Sequence, residues 1–430
     1  IMMLTKPILI ITYYWPPSGG SGVQRWVYFS KYLKKLGYSP IVLTVDLKSA
    51  SYPAIDRSLI NEIQGIPVHY VKSFNWIKIY SWFKKGKKDK IPQGEFSKKG
   101  LVDHIAAFIR GNFFIPDARV NWAKSAIKEA LRIVKSHKIE KIITTGPPHS
   151  THLIGLNLKK QHNLKWIADF RDPWTDIFYV KSFYRLSFAK KKDKLFERKV
   201  LSNANAIITT TSENFQKDLQ SKISINQNFF KIYNGYDSDL FKKIKKRKNK
   251  DFQIVFTGLL TENHPYKEFI ESFIKFLKKD PKVNVKIILA GSISEKILNE
   301  FNRISNIEFH GYINHQDAVN LMIDGNILLN FMYKQEKNTT MISGKLIEYM
   351  ATGNPVLMIG DKKSEASKLL SKQTYNLTAD PKETKIISNF IKSNYINWIE
   401  KKEIKNEIDV IKDYTREETT RSLIEIIEKI

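Results

Sequence analysis

A lysine and a glutamate three positions apart, Lys345 and Glu348, are the side chains of this 430-residue chain best placed to bind a charged ligand. They lie in residues 343–359, where apolar residues recur at helical spacing up to Gly353 and form an unbroken run after Pro355. This pattern predicts a short helix, a glycine stop and a buried parallel strand. A cation and a carboxylate on one face of a helix start suit a phosphate next to a ribose. A plain helix–strand unit with a surface Lys and Glu remains the alternative.

Three acids and an arginine follow a predicted strand in residues 167–176. The carboxyl end of a strand is where an open parallel sheet places its chemistry. A carboxylate there can orient or deprotonate a hydroxyl group. We predict Asp172 first and Asp169 second for this role. Arg171 could equally hold these acids in a structural ion pair.

Three glycines, Gly19, Gly20 and Gly22, follow the first predicted strand and precede a helix that carries Arg25. Glycines allow backbone N–H groups to approach an anion closely. The spacing is neither that of a Walker loop nor the strict Gly-x-Gly-x-x-Gly of a dinucleotide fingerprint. The segment is therefore either an anion-binding loop or a simple turn between strand and helix.

Further strand ends carry candidate residues. His149 closes a rigid Gly-Pro-Pro-His loop and could serve an acceptor hydroxyl, although many loop histidines have no chemical role. Gly258 ends a predicted strand of the second half, and Lys267 opens the next helix.

Short apolar runs alternate with amphipathic stretches along the whole chain. This alternation predicts parallel sheets covered by helices on both faces. The predicted strands span residues 8–11, 41–45, 142–145, 165–170 and 206–210, and then 252–257, 283–290, 307–309, 327–331 and 356–359. Two such series indicate two doubly wound domains. Residues 1–235 are predicted as the first domain, 236–403 as the second and 404–430 as a charged amphipathic helix, with 72–115 an insertion or flap in the first domain.

Composition excludes several classes of protein. The chain has no cysteine, which excludes disulfides and thiolate metal sites, and no apolar run of about 18 residues that would predict a membrane-spanning helix. Residues 1–235 hold 39 Lys and Arg against 16 Asp and Glu, whereas residues 236–430 hold 32 against 27. The positive field of the first half favours an anionic membrane surface or nucleic acid. Aromatic or arginine-rich motifs for nucleic-acid readout are not evident, so we expect no nucleic acid as a partner.

Residues 343–359 resemble the donor-binding helix of GT-B glycosyltransferases, especially those of the retaining family 4, which read Glu-Ala-Met-Ala-x-Gly-x-Pro-Val. The glycine loop, the Asp-Phe-Arg-Asp-x-Trp run, the Gly-x-Leu segment before Lys267 and an Asn-Gly-Tyr-Asp linker also resemble this family. The resemblance covers nearly the whole chain. It implies two Rossmann-like domains facing a central cleft, with the C-terminal helix crossing back onto the first domain.

The resemblance also implies roles for the candidate residues. Glu348 would bind the ribose of a nucleotide-sugar, Lys267 and Lys345 its diphosphate, and Arg25 and Gly258 would border the donor. Two departures stand out, because Thr340 replaces the family's earlier glutamate and Leu259 replaces an arginine. These departures put a contact with the donor sugar and one cationic contact in doubt.

The sequence therefore predicts a bacterial hexosyltransferase of class EC 2.4 that builds surface polysaccharide, lipopolysaccharide or glycolipid. We expect it to use a UDP- or GDP-linked sugar, with no cofactor and no metal, and to retain the configuration of the sugar. We expect it to be cytoplasmic, peripheral at the inner face of the cytoplasmic membrane, with a glycan or lipid-linked acceptor. The alternatives are a nucleotide-sugar epimerase of the same fold, a basic nucleic-acid-binding protein and a non-enzymatic scaffold.

Overall fold

A computed structural model describes residues 6–52, 54–74, 101–177, 183–210, 213–279, 283–334 and 342–430. The chain forms two compact units. The first domain consists of Ile1–Ile232 and Thr420–Ile430, and the second of Tyr233–Thr419. Of the predicted flap, residues 75–100 lie outside the described residues, as does Thr340.

The described part of the first domain contains a seven-stranded parallel sheet. Its strands are mostly buried runs of β-branched and other apolar residues, which favour extended backbone covered on both faces. They are β1 Lys6–Ile11, β2 Tyr38–Val45, β3 Val68–Val71, β4 Lys141–Gly146, β5 Lys165–Phe170, β6 Ala206–Thr209 and β7 Phe229–Lys231. The order β3-β2-β1-β4-β5-β6-β7 reverses direction between β1 and β4.

Amphipathic helices cover this sheet. They are α1 Ser21–Lys35, α2 Leu101–Phe113, α3 Val120–Ser136, α4 Ser150–Gln161, α5 Ser187–Asn203 and α6 Glu213–Gln220, with a 3-10 helix at Arg57–Ile63. In α3, for example, Trp122, Ala126, Ala130 and Ile133 recur every three to four residues and are buried against the core. This stripe fixes which face of the helix meets the sheet.

The second domain repeats the plan with six described parallel strands. These are β8 Phe252–Leu260, β9 Val285–Ile293, β10 Ile307–Phe309, β11 Ile327–Phe331, β12 Val356–Ile359 and β13 Leu377–Ala379. Its helices are α7 Ser238–Lys243, α8 Tyr266–Lys279, α9 Glu295–Phe301, α10 His315–Asp324, α11 Gly344–Ala351, α12 Glu365–Leu370 and α13 Thr384–Ile399, followed by a 3-10 helix at Asp409–Tyr414. The order β10-β9-β8-β11-β12-β13 reverses direction between β8 and β11. Two doubly wound parallel sheets confirm the predicted fold class.

The last helix, α14 Arg416–Lys429, packs on the first domain, as predicted. Its buried residues Leu423, Ile426 and Ile427 join the first domain's core, and Lys6 Nζ lies 2.8 Å from Glu428 Oε1. The helix begins at Arg416 rather than at residue 404.

Tertiary hydrogen bonds explain this later start. Asn406 donates its backbone N–H to the Gly353 carbonyl at 2.7 Å, and its side chain accepts from Tyr375 N–H at 2.7 Å. These bonds belong to residues 402–407, which are not helical, and the 3-10 helix at Asp409–Tyr414 separates them from α14. Within the described ranges, no helix combines the length and the apolar character that crossing a bilayer requires.

Candidate active site

In the second domain, candidate residues gather where strands β8 and β11 separate. The pairing of β8 with β11 ends at Val255, so no strand among the described residues pairs with the next backbone groups on that side of β8. Side chains of helix α11 form hydrogen bonds with the backbone of Thr257 instead. Tyr349 Oη accepts from Thr257 N–H at 2.8 Å, and Lys345 Nζ donates to the Thr257 carbonyl at 3.3 Å. The start of α11 is therefore fixed at the switch point of the sheet, where open α/β sheets bind their ligands.

The Lys345 amine at this point is less basic than that of an ordinary lysine. Its half-buried side chain places Nζ 4.0 Å from the centre of the Phe256 ring. Desolvation lowers the pKa of this amine to about 7. Bringing an anion beside it would favour the protonated form, because an opposite charge offsets the cost of burial.

Gly258 lies directly beside Lys345, on the extension of β8. Its φ of +114° lies in the region that favours glycine, and a Cβ there would lie 3.7 Å from Lys345 Nζ. The glycine therefore leaves the space next to the amine open. A Cβ at Gly291 of β9 would lie 2.1 Å from the Gly258 carbonyl oxygen, so the two glycines pack backbone to backbone.

Glu348, one turn after Lys345, is a buried carboxylate. Its Oε1 lies 2.7 Å from His315 Nε2 and accepts a hydrogen bond from Arg416 Nη2 at 3.2 Å. Burial by itself raises the pKa of this carboxyl, but the contacts with His315 and Arg416 outweigh burial and lower the pKa below its ordinary value. Both contacts use Oε1.

The sequence analysis missed both partners of Glu348. Arg416 also donates from Nε to the Gly235 carbonyl at 3.2 Å, and its backbone N–H donates to Tyr236. Arg416 thus links the first residues of the domain to the Glu348 carboxylate. His315 opens α10, and its position after a strand end was the one local signal that could have identified it.

Lys267 opens α8, as predicted, and is an exposed lysine. Its Nζ lies 3.9 Å from Glu300 Oε1, a distance at the limit of an ion pair. The loop before it is stabilised by His264, whose Nδ1 accepts from Thr261 N–H at 3.0 Å. Burial and the Lys345 charge lower the pKa of His264 to about 4, so this ring is neutral at pH 7.

In the first domain, the glycine loop and the Gly-Pro-Pro-His loop both lie at the β1/β4 switch point. Gly20 has a φ of +107° at the start of α1, a conformation that glycine adopts readily. Gly19 donates its N–H to the Ala54 carbonyl at 2.9 Å. A Cβ on Gly22 would lie 1.5 Å from Arg171 Nη1, so this glycine makes room for the guanidinium.

Asp169 and Arg25 form a buried ion pair. Asp169 Oδ1 accepts from Arg25 Nη2 at 3.0 Å, and Oδ2 accepts from Trp26 Nε1 at 2.7 Å and from Thr145 Oγ1 at 2.9 Å. Arg25 Nη1 also donates to the Ile232 carbonyl at 3.0 Å. These bonds tie α1 to the ends of β4 and β5, which favours a positioning role for both residues over direct contact with a substrate.

Asp172 differs from Asp169. It is half-buried, and burial is the main reason why the pKa of its carboxyl is raised, with Arg171 opposing and Asp169 reinforcing the shift. Arg171 donates from Nε to the Gly146 carbonyl at 3.2 Å and from Nη2 to the Pro147 carbonyl. Asp172 is therefore the acid of this segment best suited to accept a proton.

His149 is buried and stacks on Trp174, with ring centres 4.9 Å apart. Burial lowers its pKa well below the ordinary value, so the ring is neutral at pH 7. A second histidine that the sequence analysis missed, His152, lies beside it with ring centres 5.8 Å apart. Burial lowers the pKa of His152 to about 3.

A hydrogen-bonded chain reaches His152. Trp166 Nε1 donates to Thr144 Oγ1 at 2.8 Å, and Thr144 Oγ1 lies 2.8 Å from His152 Nδ1.

The structure thus gathers Gly258, Lys345 and Glu348 at one strand end of the second domain, with Lys267 at the start of the following helix. In the first domain it gathers the other candidates at the ends of β1, β4 and β5: Gly19, Gly20, Gly22, Arg25, His149, Asp169 and Asp172. Across the described ranges, no three His, Asp or Glu side chains form a group that could hold a metal ion.

Part of the second domain matches a known protein family. Residues 251–387 match the family model of glycosyl transferases group 1, a span that includes Gly258, Lys267, Lys345 and Glu348. No curated protein sequence matches the chain significantly.

Solved structures share the fold over the whole chain. Sucrose-phosphate synthase from Thermosynechococcus elongatus has a TM-score of 0.64 at 13% identity, covering 99% of this chain and 98% of its own. The trehalose-6-phosphate synthase OtsA has a TM-score of 0.64 at 10% identity, covering 99% of both chains. Anabaena HepE, solved in complex with UDP-glucose, has a TM-score of 0.61 at 13% identity, covering 99% of this chain and 100% of its own. Residues 251–387 thus match a group 1 glycosyl transferase domain, and the whole chain has the GT-B fold of these structures.

Proposed function

We propose that this glycosyltransferase moves a sugar from a nucleoside-diphosphate donor to an acceptor hydroxyl, with retention of configuration and without a metal ion. The observation that carries the proposal is the arrangement of Lys345, Gly258 and Glu348 at the β8/β11 switch point. A cation beside an open glycine and a carboxylate one turn further along the helix match a diphosphate followed by a ribose.

On the donor side, Lys345 binds the diphosphate and Glu348 Oε2 accepts a hydrogen bond from a ribose hydroxyl. Lys267, at the start of α8, supplies a second cation for the leaving diphosphate. The UDP-glucose complex of the structurally similar HepE supports a nucleotide-sugar donor, with UDP as the first nucleotide to test.

On the acceptor side, Asp172 receives the proton of the attacking hydroxyl. Its raised pKa makes it a better proton acceptor than an ordinary surface aspartate. The neutral His149 orients a sugar or acceptor hydroxyl, and Asp169 with Arg25 holds the ends of the strands in place.

The setting that we propose is the synthesis of a surface polysaccharide or glycolipid at the inner face of a bacterial cytoplasmic membrane. The uneven charge supports it, since residues 1–235 carry most of the net +28. A lipid-linked acceptor presented at an anionic leaflet would meet this positive field.

The first experiment is thermal stabilisation by UDP, GDP, ADP, dTDP and CMP. Ligand at 100 times its Kd adds about 2.7 kcal/mol to the free energy of unfolding. We expect one nucleoside diphosphate to raise Tm, and the rise to shrink in Lys267→Ala but not in Lys278→Ala, a matched exposed lysine at the other end of α8. Absence of any shift with all five nucleotides would contradict the proposal and favour a scaffold.

Turnover of the nucleotide-sugar with and without an acceptor distinguishes a transferase from an epimerase. An epimerase converts the nucleotide-sugar alone, whereas the proposed transferase requires an acceptor to release nucleoside diphosphate at its full rate. Asp172→Asn should lower kcat about 100-fold or more with little change in donor KM, because general-base catalysis typically contributes that much. Full conversion of the donor without an acceptor would establish the epimerase instead.

A further inference from the structure

Helix α2 of the first domain shows its large apolar side chains to solvent. Ile105, Ile109 and Phe113 recur every four residues and are 51%, 44% and 70% exposed, and Phe108 extends the row. The small or polar residues Ala107, Gly111 and Asn112 are the buried ones. This is the reverse of an ordinary surface helix, and a contiguous exposed row of this kind marks an interaction surface.

Close packing fixes this orientation of α2. A Cβ on Gly111 would lie 2.5 Å from the Phe183 carbonyl oxygen, so only glycine allows the observed approach. Asn112 donates to the Tyr184 carbonyl at 3.2 Å and accepts from Leu186 N–H at 2.7 Å. The helix is thus held against the segment that leads into α5, where Tyr184, Leu186 and Phe188 are also exposed.

In helix α5 the basic residues are exposed and the acidic residues are buried. Its exposed cations are Lys190, Lys191, Lys192, Lys194, Arg198 and Lys199. Its two acids are buried: Asp193 accepts from Trp174 Nε1 at 2.7 Å and pairs with Arg185, and Glu197 lies 2.8 Å from Lys222 Nζ. The outward surface of α5 is therefore cationic, with no acid of the helix on it to compensate.

We propose that the exposed apolar row of α2 and the outward face of α5, together the α2–α5 face, dock the enzyme on an anionic lipid bilayer. Aliphatic and aromatic side chains beside lysines suit the boundary between headgroups and acyl chains. Each lysine near an anionic leaflet contributes about a fivefold gain in partitioning. This inference deepens the proposed function by naming the surface that meets the membrane.

Vesicle flotation of the full chain tests the proposal. We expect binding to phosphatidylcholine vesicles that contain phosphatidylglycerol, weak binding to phosphatidylcholine alone, and release as salt rises from 0.1 to 0.5 M. The variant Lys191→Gln/Lys194→Gln/Lys199→Gln should lose about a hundredfold in partitioning. The matched control Lys124→Gln/Lys128→Gln/Lys135→Gln removes three exposed lysines from α3 and should lose much less.

The apolar row is tested separately with Ile109→Ser/Phe113→Ser, which should weaken vesicle binding while the thermal shift with the nucleotide stays unchanged. Equal losses in the two lysine variants would overturn the proposal, since net charge alone would then explain the binding. Failure to bind anionic vesicles would overturn it as well. Dimerisation that Phe113→Ser abolishes would assign the face to a second copy of the chain. Because none of these measurements requires turnover, failure of the proposed function would appear separately, in the nucleotide assay.

Discussion

Lys345 allows a quantitative test of the donor site through pH. The pKa of its amine is about 7 in the free protein, so the cation that a diphosphate needs is mostly present at pH 6 and mostly absent at pH 8.5. If binding requires the protonated amine, affinity falls about 30-fold over this interval, or about 2 kcal/mol. The variant Lys345→Met keeps the apolar stem and removes the titrating group.

The assay is titration calorimetry with the nucleoside diphosphate that gives the largest thermal shift, between pH 6 and 8.5. The ratio of wild-type to Lys345→Met affinity cancels the titration of the ligand's own phosphate. We expect this ratio to be about 30 times larger at pH 6 than at pH 8.5. A constant ratio, or equal affinities at both pH values, would refute the assignment of Lys345 to the diphosphate.

Stability without ligand should show the opposite slope. The pKa of Lys345 in the folded chain is lower than in the unfolded chain, so between pH 7 and about 10 the unfolded chain binds the additional proton. Lys345 therefore makes the free energy of unfolding rise with pH in this window, and Lys345→Met should lack this contribution. Urea unfolding of both proteins at pH 7 and 9.5 measures the difference, and identical pH dependence would show that the amine is not desolvated.

Two further substitutions test the framework of the donor site. Arg416→Met leaves the buried Glu348 carboxylate without one of its cationic partners, so urea unfolding should show a loss of about 3–5 kcal/mol, with part of it restored in Arg416→Lys. If Arg416→Met unfolds with the stability of the wild type, the Arg416–Glu348 pair contributes nothing to the free energy of unfolding. Gly291→Ala places a Cβ 2.1 Å from the Gly258 carbonyl oxygen and should lower the free energy of unfolding by more than about 3 kcal/mol. In Gly311→Ala the new Cβ meets no atom within 4 Å, so this variant should lose only the strain of its positive φ, about 1–2 kcal/mol. Equal costs at the two glycines would show that the backbone relaxes around Gly291.

The central strands of both sheets could be predicted from the sequence because they are buried on both faces and form continuous apolar runs. The edge strands β3, β7 and β13 were missed, since they are only three or four residues long and mostly half-exposed. Helix α2 was included in an irregular insertion because its apolar residues face outward, which removes the usual amphipathic signal. Short or inverted elements depend on neighbours that a local pattern does not reveal.

In the site, Lys345 and Glu348 could be predicted because helix start, charge and spacing coincide within a few residues. Their partners could not, since His315 and Arg416 are 33 and 68 residues away from Glu348. The sequence analysis left open an ion pair between Arg171 and the acids of its segment. In the structure, the direct partner of Asp169 is Arg25, 144 residues away, while Arg171 donates to backbone carbonyls. Contacts between distant segments depend on topology, which local spacing does not encode.

The pairing of Tyr236 with Thr415 has a consequence for how such enzymes diversify. Tyr236 N–H donates to the Tyr414 carbonyl at 3.0 Å, and Arg416 N–H donates back to the Tyr236 carbonyl at 2.9 Å, so the second domain begins and ends at one place. A continuous segment with adjoining ends can be exchanged between related chains as one unit, because its two chain junctions lie side by side in the rest of the protein. Recombination over Tyr233–Thr419 would replace the second domain while leaving the body of the first domain, including residues Thr420–Ile430 of the final helix, in place.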